Sequence, residues 1–414
     1  MRFHSLHVVG LLFLAGCGTS TPTAAQEASN GKANVPASDP PFTTAQVATF
    51  NAPWAMDFLP GSSRALVTEK AGRLWLLDVN GGAKRQVSGV PAVVSNGQGG
   101  LLDVKAGPRF AKDGSIYFTF AEASKNGGSQ LALARAHLID GKDASRLDKV
   151  QVIWRNPTGG KGGHFGARIA FAPDGQSLFL SAGERQRFTP AQDPNLPMGK
   201  ILHLTLDGNP LATASPGAST VTVTDPPEDS EAAKRTQGRT VTWPGPNYTP
   251  AETWTSGHRN PLGLAFAPDG KLWEIEMGPK GGDELNLIVQ GRNYGYPRVS
   301  NGTNYNGVDI PDHRPGDGFE APKAWWNPSI SPADLLIYSG AMFPQWKGDA
   351  LIPALSGQAL VHVPIRGDQA GKAEQWDMGK RIRAVDQGPD GAVYLLEDEA
   401  GARLLKLTPA QTRR

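Results

Sequence analysis

Residues 261–278 read PLGLAFAPDGKLWEIEMG, in which two apolar segments flank a Pro-Asp-Gly turn. Proline presets the turn backbone and glycine readily adopts a positive φ, so this stretch predicts a tight β-hairpin. A more divergent copy with a longer turn occupies 333–355, and closer copies occupy 54–69, 101–122, 168–184 and 382–399. The chain therefore contains six similar hairpin units.

Six similar β units predict a radial arrangement. A third short apolar segment follows most of the hairpins, as at 72–77 and 402–407. Radial repetition leaves few exposed sheet edges and gathers uneven loops around a channel, so the units predict an all-β, six-bladed β-propeller with a central channel. We expect the first and last strands to share one blade. A β-sandwich is the alternative, although six hairpins exceed what one sandwich needs.

The composition agrees with a β-rich globular protein. The 414 residues include 50 Gly and 34 Pro, and both residues destabilise helix interiors. Apolar residues make up 39 % of the chain, with ten Trp and fifteen Phe, which is enough for a large core. The formal net charge is +2 with dispersed charges, so there is no basic patch for nucleic acid. The sequence also lacks a P-loop, a dinucleotide-binding glycine motif, G-x-S-x-G and H-E-x-x-H.

The first 17 residues, MRFHSLHVVGLLFLAGC, have the features of a secretory signal. Arg2 precedes an apolar segment that is too short to span a bilayer. Leu14 to Cys17 resemble the lipobox of bacterial lipoproteins, which implies that Cys17 is acylated and becomes the mature N-terminus. An ordinary signal peptide cleaved nearby is the alternative. Cys17 is the only cysteine of the chain, so disulfides and cysteine-ligated metal sites are excluded.

Three segments follow from this reading. Residues 1–17 form the signal, and the small, polar, Pro-rich residues 18–42 predict a flexible tether. The propeller is expected at 43–410, outside the cytoplasm. A lipid anchor would place it in the periplasm, and Gly18 after the cysteine favours the outer over the inner membrane. The long insertion at 208–252 is assigned no chemistry.

Polar and charged residues stand among glycines where predicted loops meet strands. The segments are 96–100 (NGQGG), 162–168 (GGHFGAR), 257–261 (GHRNP), 278–284 (GPKGGDE), 293–297 (NYGYP) and 381–383 (RIR). Glycine allows close approach of a ligand to the backbone, and an R-x-R strand places two guanidiniums on one side, which suits a ligand with several carboxylates. Each motif alone also fits a structural role: a turn histidine for His164, a strand-end cap for Arg259, or a solvated face for Arg381 and Arg383.

The order of these motifs along the chain resembles the soluble PQQ-dependent sugar dehydrogenases, the family of aldose sugar dehydrogenases and soluble glucose dehydrogenases. The resemblance covers about residues 45–408. Its most specific motifs are GQGGLLDV, GHRNPxGLAFxPDGxLW, ExGPxGGDELNLI and NYGYP. It implies a periplasmic enzyme that oxidises the anomeric carbon of an aldose to a lactone, with hydride passing from sugar C1 to C5 of PQQ. It also implies Ca²⁺, and an electron acceptor that is a quinone, a cytochrome or, in vitro, a dye.

The resemblance assigns roles to individual residues. His164 matches the general base for the anomeric hydroxyl, and Arg259 matches the cation beside the C5 carbonyl oxygen of the cofactor. The other matching cofactor contacts are Gln98, Asn260, Tyr305, Arg381 and Arg383, of which the two arginines face the cofactor carboxylates. The metal positions are the main-chain carbonyls of Gly278 and Pro279 beside the cofactor, and a second site at Glu284 and Tyr294.

The sequence departs from the family pattern at several positions. Ser356 replaces a lysine that contacts the cofactor, and Gly163 replaces an aspartate that contacts sugar in glucose dehydrogenase. Glu184-Arg185 stands where Asp-Arg or Asp-Asn is common, and Ala384 replaces the aspartate after R-x-R. Because His164 and Arg259 are retained, we expect an active enzyme whose sugar preference differs from that of glucose dehydrogenase. A catalytically silent propeller that binds sugars or proteins is one alternative. A lactone hydrolase is another, but no converging set of acidic metal ligands is evident.

Overall fold

A computed structural model describes residues 39–225, 237–305 and 307–410. Within these residues the protein is all-β, as predicted, and its helices are single turns: α1 (Phe110–Asp113), α2 (Thr249–Glu252) and the 3-10 turns Thr189–Gln192 and Pro344–Trp346. In the same residues, no helix has the length and apolar character needed to cross a membrane. The signal, the lipobox with Cys17 and residues 18–38 of the expected tether lie outside the described residues.

The first nine strands begin the fold. They are β1 (Phe42–Asn51), β2 (Pro53–Phe58), β3 (Arg64–Glu69), β4 (Arg73–Asp78), β5 (Lys84–Ser88), β6 (Leu101–Ala106), β7 (Ser115–Ala123), β8 (Ser129–Asp140) and β9 (Ser145–Arg155). Strands β2 to β9 form one sheet in the order β2-β3-β4-β5-β9-β8-β7-β6. Because β5 and β9 join through a two-residue parallel ladder, this sheet consists of two four-stranded antiparallel groups.

The middle of the chain adds further antiparallel sheets. Their strands are β10 (Gly166–Phe171), β11 (Ser177–Ala182), β12 (Lys200–Thr205), β13 (Thr220–Asp225), β14 (Gln237–Thr242), β15 (Thr253–Ser256), β16 (Pro261–Phe266), β17 (Leu272–Glu276), β18 (Lys280–Gly281), β19 (Asp283–Ile288), β20 (Gly302–Thr303) and β21 (Ala324–Trp326). Two four-stranded sheets result, in the orders β10-β11-β12-β15 and β16-β17-β19-β21, with two-stranded pairs β13-β14 and β18-β20. The described part of the 208–252 insertion contains the β13-β14 hairpin and α2.

The last strands complete the fold. They are β22 (Leu336–Ile337), β23 (Ala350–Ala354), β24 (Ala359–Val363), β25 (Ile365–Arg366), β26 (Gln369–Ala370), β27 (Glu374–Asp377), β28 (Ile382–Gln387), β29 (Val393–Glu397) and β30 (Ala400–Pro409). One sheet has the order β22-β23-β24-β27, a small pair is β25-β26, and the final sheet is β1-β30-β29-β28. The pairing of β1 with β30 confirms that the first and last strands share one sheet.

One strand from each four-stranded group belongs to a closed cycle of contacts. Strands β2, β6, β10, β16, β22 and β28 contact one another in this order, and β28 contacts β2. All six predicted hairpins are present, as β2-β3, β6-β7, β10-β11, β16-β17, β22-β23 and β28-β29. Repeated antiparallel sheets in cyclic contact give a propeller-like fold, and this order differs from the two facing layers of a sandwich.

The hydrophobic core lies between neighbouring sheets. Leu133 on β8, Leu180 on β11 and Leu202 on β12 belong to one cluster of fully buried side chains. Alternation along each strand directs these residues into the space between the two sheets, and burial of one such side chain contributes roughly 1.5–3 kcal/mol. The residues directly before β6, β10, β16 and β28 are thereby held close together, because these strands belong to the same cycle.

Candidate active site

His164 lies two residues before β10 and its side chain is buried. Its backbone N–H donates to Oε1 of Gln98 at 2.7 Å, and its ring Nδ1 lies 2.5 Å from Oε1 of Glu184. A carboxylate can only accept a hydrogen bond, so Nδ1 carries a hydrogen, and in this tautomer of the imidazole Nε2 is the nitrogen with the basic lone pair. This is the tautomer and orientation that a general base at Nε2 requires.

Glu184 is buried and remains ionised. Besides the His164 ring, its carboxylate accepts the backbone N–H groups of Gln186 at 2.9 Å, Phe188 at 2.6 Å and Arg187. Burial raises the pKa of this carboxyl, but the His164 hydrogen bond and charge, the Arg259 charge and the Phe188 N–H outweigh it, so the net pKa is lowered. An ionised Glu184 is suited to stabilise an imidazolium at His164.

The GHRNP segment joins the His164 segment through backbone contacts. The carbonyl of Arg259 accepts the Glu184 N–H at 2.9 Å, and Oδ1 of Asn260 accepts the Gly166 N–H at 3.2 Å. The first bond ties the start of β16 to the residues that follow β11, and the second ties it to the start of β10. The predicted residues Gln98, His164, Arg259 and Asn260 therefore belong to one site, although Gln98 and Asn260 are far apart in the sequence.

The Arg259 guanidinium lies at the edge of this site. Its Nη1 donates to the carbonyls of Met277 at 2.8 Å and Gly278 at 2.5 Å. The Tyr305 ring, which is 56 % exposed, lies with its centroid 6.0 Å from the guanidinium carbon. Pro279, the other predicted main-chain metal ligand beside the cofactor, is buried directly after Gly278. Arg259 thus connects the predicted base to the predicted Gly-Pro carbonyls.

Arg381 and Arg383 converge on one carboxylate. Nε of Arg381 donates to Asp398 at 3.0 Å, and Nε and Nη2 of Arg383 donate to the same carboxylate at 3.3 and 3.2 Å. The side chain of Arg383 is only 13 % exposed. Both guanidiniums therefore lie on the same side of the strand start, where a single aspartate is their closest shared counter-ion.

Lys70 adds a third cation to this group. Its Nζ donates to the carbonyl of Gly97 at 2.9 Å, next to the cofactor-contact candidate Gln98. Burial lowers the pKa of Lys70 and the charge of Arg383 lowers it further, whereas Asp398 opposes both. We refer to Lys70, Arg381, Arg383 and Asp398 as the Asp398 cluster. It holds three cations around one partly buried carboxylate, and the exposed Glu399 carboxylate lies 3.5 Å from Arg381, so a positive excess remains for an anionic ligand.

The two residues of the second predicted metal site lie beside a group of buried acids. Oε2 of Glu284 is 3.5 Å from Nδ2 of Asn286, and the same amide lies 3.4 Å from Oε1 of Glu276. The Tyr294 ring stacks on the imidazole of His258 at a centroid distance of 4.6 Å. Glu284 and Tyr294 therefore approach the same cluster from two sides.

A metal-like arrangement of side chains occupies that cluster. His258, Glu274 and Glu276 each offer a ligand atom, and these atoms lie within 4.8 Å of one another. Burial raises the pKa of Glu274 and of Glu284 well above the usual range, and the charge of Glu276 raises both further. Among the described residues, Oε1 of Glu274 has no hydrogen-bond partner. The sequence analysis assigned these three residues no role, although His258 and Glu276 lie within its motifs GHRNP and ExGPxGGDELNLI, and Glu274 and Glu276 alternate on one buried strand face.

Known proteins were compared with this chain. The sequence model of the family described as Glucose / Sorbosone dehydrogenase matches residues 50–221 and 244–406. The chain is 34 % identical to the aldose sugar dehydrogenase YliI of Escherichia coli over 364 residues, which cover 86 % of this chain and 90 % of that protein. A crystal structure of a glucose dehydrogenase is similar with a TM-score of 0.75 and 36 % identity, over 89 % of this chain and all of that chain (100 %).

A further solved structure is the PQQ-bound aldose sugar dehydrogenase of Streptomyces coelicolor, with a TM-score of 0.67 and 26 % identity over 89 % of this chain and 98 % of that chain. The fold, the site and these similarities place the protein in the class of propeller-like oxidoreductases. Within that class, the chain belongs to the Glucose / Sorbosone dehydrogenase family.

Proposed function

We propose that the protein is a PQQ-dependent aldose sugar dehydrogenase that oxidises the anomeric carbon of an aldose to a lactone. The observation that carries the proposal is the buried His164–Glu184 pair, with Nδ1 and Oε1 2.5 Å apart, tied to Arg259 through the backbone. An imidazole oriented by an ionised carboxylate is a proton acceptor, and a guanidinium beside it stabilises negative charge. The relatives named as aldose sugar dehydrogenases support the substrate class.

The charge of the site fits PQQ, which is a tricarboxylate. The Asp398 cluster has more cations than acids, so its net positive charge can pair with a carboxylate of the cofactor. Arg381, Arg383 and Lys70 would hold the carboxylates, and Gln98, Asn260 and Tyr305 would contact the rings. Lys70 would supply a cation to a site in which Ser356 replaces the family lysine. When bound, PQQ supplies the two-electron acceptor for the hydride of sugar C1.

The residues of the chain supply the proton chemistry. Nε2 of His164 takes the proton of the anomeric hydroxyl as the C1 hydrogen leaves with its electron pair, and the carbon–oxygen bond becomes the lactone carbonyl. Glu184 holds Nδ1–H throughout and stabilises the imidazolium. Arg259 places positive charge where reduction generates negative charge. The proton later leaves His164 for water, which restores the neutral imidazole.

We also propose that the protein binds Ca²⁺. The crowded carboxylates of Glu274, Glu276 and Glu284, together with the unpartnered oxygen of Glu274, form a hard oxygen-rich site that a divalent cation would neutralise. Glu284 and the main-chain carbonyl of Tyr294 would be its family ligands. A second Ca²⁺ beside the cofactor would take the carbonyls of Gly278 and Pro279.

The finer architecture and the location belong to the same proposal. The six four-stranded groups would be six blades around a channel, in one unit spanning 43–410, as the cyclic contacts of their strands suggest. The mature enzyme would be anchored in the periplasm by a lipid on Cys17 and would pass electrons to a quinone or cytochrome. Mass spectrometry of the purified N-terminus tests the anchor, and an unmodified Cys17 in the mature protein would contradict it.

The decisive experiment reconstitutes apoprotein with PQQ and Ca²⁺ over a cofactor titration and follows aldose oxidation with a dye. We expect His164→Ala to lower the plateau rate by about 10²–10⁴-fold, because a general base is lost, with little change in the titration midpoint. His137→Ala, on β8, is the matched control and should behave as wild type. A His164→Ala plateau within about threefold of wild type would reject the base assignment, because that is below the usual loss. Sugar binding without turnover in wild type would indicate a silent propeller.

A further inference from the structure

We infer that Arg185 is a positioning residue for His164, and that residues 184–186 act together as the holder of this histidine. The inference rests on the proposed function, because it concerns the base of that reaction. Glu184 holds the ring at Nδ1, as described above. The next two residues hold the backbone on either side of the ring, so three consecutive residues fix both ends of one side chain.

The Arg185 side chain binds the glycine-rich loop that precedes His164. Arg185 is buried, its Nε donates to the Gly163 carbonyl at 3.0 Å, and its Nη2 donates to the Gly162 carbonyl at 2.9 Å. Its guanidinium carbon also lies 3.8 Å from the centroid of the Phe165 ring. One planar group therefore contacts residues on both sides of His164.

Further hydrogen bonds from Arg185 and Gln186 hold the backbone of Gly163 and His164. The Arg185 N–H donates to the His164 carbonyl at 3.3 Å, and Oε1 of Gln186 accepts the Gly163 N–H at 2.6 Å. Together with Gln98 on the His164 N–H, these bonds engage the amide groups of Gly163 and His164 and the carbonyl of His164. The position of the imidazole is consequently determined from outside the glycine loop.

The backbone conformations of His164 and of the residues that hold it explain why these hydrogen bonds are needed. His164, Arg185 and Gln186 have φ values of 49°, 62° and 59°, in the left-handed region that side chains disfavour. Such a conformation is strained for a residue with a Cβ and persists only where surrounding contacts hold it. Gly162 has a φ of 105°, and a Cβ there would lie 2.5 Å from the Arg185 carbonyl oxygen. A Cβ on Gly163 would lie 2.5 Å from Cδ of Gln98, so the Gln98 side chain would have to move. The loop is thus shaped by Arg185 and its neighbours.

The test replaces the planar guanidinium of Arg185 by the ammonium group of lysine. Arg185→Lys keeps the charge but cannot reach both glycine carbonyls, so His164 should shift. A misplacement of about 1 Å costs about 10²-fold in rate, and we therefore expect the plateau rate to fall by about 10–100-fold with little change in sugar KM or in the PQQ midpoint. Arg135→Lys is the control, because the Arg135 guanidinium on β8 pairs with Asp207 and contacts neither residues 184–186 nor the glycine-rich loop. It should lose less than about threefold in rate.

A double-mutant cycle separates positioning from general damage. If Arg185 acts through His164, Arg185→Lys should cause no further loss in the His164→Ala background. Additive losses would overturn the inference, because they would show that Arg185 acts independently of the base. Gln186→Met removes the acceptor of the Gly163 N–H at a half-buried position. It serves if Arg185→Lys does not fold, and an unchanged plateau rate in Gln186→Met would count against the holder.

A measurement on apoprotein keeps this inference distinct from the proposed function. The hydrogen shared by His164 and Glu184 at 2.5 Å should give a strongly downfield proton NMR resonance that disappears in His164→Ala. We expect Arg185→Lys to shift or broaden this resonance and Arg135→Lys to retain it. An unchanged resonance in Arg185→Lys would overturn the inference even if the enzyme is active. Absence of sugar turnover in wild type with a shifted resonance would reject the function and leave the holder standing.

Discussion

The charged side chains around Arg168 and those around Asp398 differ in how their charge is balanced. Arg168 is buried, and its Nη1 lies 3.2 Å from Asp103 and 3.4 Å from Asp334. Its Nε and Nη2 donate to the carbonyls of Leu262 and Ala333, both at 2.6 Å. We call these residues and their neighbours the Arg168 cluster, which comprises Arg168, Lys105, Asp57, Asp103, Asp334 and Asp386. It contains more acids than bases, whereas the Asp398 cluster contains more bases than acids.

The carboxylates of the Arg168 cluster accept hydrogen bonds from backbone N–H groups of neighbouring strands. Asp57 accepts the Ala106 N–H at 2.7 Å, and Asp386 accepts the Phe58 N–H at 3.1 Å. Asp103 likewise accepts the Ile169 N–H at 2.8 Å, and Asp334 the Val385 N–H at 3.2 Å. These bonds connect successive strands of the cycle. The carboxylates of the Arg168 cluster, which are hydrogen-bonded within the protein, hold the sheets together. The surplus positive charge of the Asp398 cluster is instead available to a ligand.

The largest expected effect comes from Arg168→Met. It leaves buried carboxylates without their cation, so we expect the free energy of unfolding in denaturant to fall by about 3–5 kcal/mol. The PQQ midpoint of the folded variant should remain at the wild-type value. Arg135→Met is the control, because its pair with Asp207 is exposed and should cost less than about 1 kcal/mol. Equal losses in the two variants would remove the distinction drawn between the clusters.

Arg383→Met should weaken cofactor binding and leave the free energy of unfolding nearly unchanged, which is the opposite of Arg168→Met. Loss of one charge-assisted contact to a cofactor carboxylate is worth about 1.5–3 kcal/mol, so the PQQ midpoint should rise by about 10–100-fold while the plateau rate changes less. Stability should change little, because Arg381 still neutralises Asp398. Arg403→Met removes a balanced pair with Glu397 and should leave the midpoint unchanged. A midpoint insensitive to Arg383 would indicate that the Asp398 cluster does not receive the cofactor.

The smallest effect concerns pH. Burial raises the pKa of Asp386 to about 7, Lys105 opposes this and Asp57 adds to it. Because the folded state then holds the proton more tightly than the unfolded state, this contribution to stability is complete below the ordinary carboxyl pKa of 3.8 and is lost as the pH rises to about 7. The slope should be at most about 1.4 kcal/mol per pH unit, measured by denaturant unfolding.

Asp386→Asn should flatten that slope, and an identical slope in the variant would refute the assignment. Asp398 has the opposite sign. Burial raises its pKa, but Arg383 and Arg381 outweigh burial and lower it, so its contribution is lost as the pH falls below the ordinary carboxyl range. The two clusters should therefore lose stability in opposite directions of pH.

Much of the fold was open to prediction from local patterns. The Pro-Asp-Gly phrase of 261–278 became β16 and β17, and even the divergent unit at 333–355 became β22 and β23. Turn chemistry and strand alternation act over a few neighbouring residues, so they can be read directly from the chain. The family resemblance added His164, Arg259 and the R-x-R pair, which the structure brings to neighbouring strand starts.

Other parts of the site depend on contacts between distant segments. Glu184 looked like a variation in a common motif, and Lys70 belonged to no motif, yet one orients His164 and the other adds charge beside Arg383. His258, Glu274 and Glu276 likewise meet only because β16 and β17 pair. The role of each of these residues depends on the side chains that lie opposite it in the folded protein, which local sequence does not specify.

By itself the sequence determined the all-β character, the six hairpins, the joining of the chain ends and the family motifs, because these follow from the periodicity and turn preferences of short segments. Only the tertiary structure decided which charges neutralise one another and which remain in excess. It also decided that residues 184–186 hold His164 in place, with Arg185 and Gln186 in left-handed backbone conformations. Electrostatic balance and strain are sums over spatial neighbours, and neighbours in space are set by the packing of the sheets.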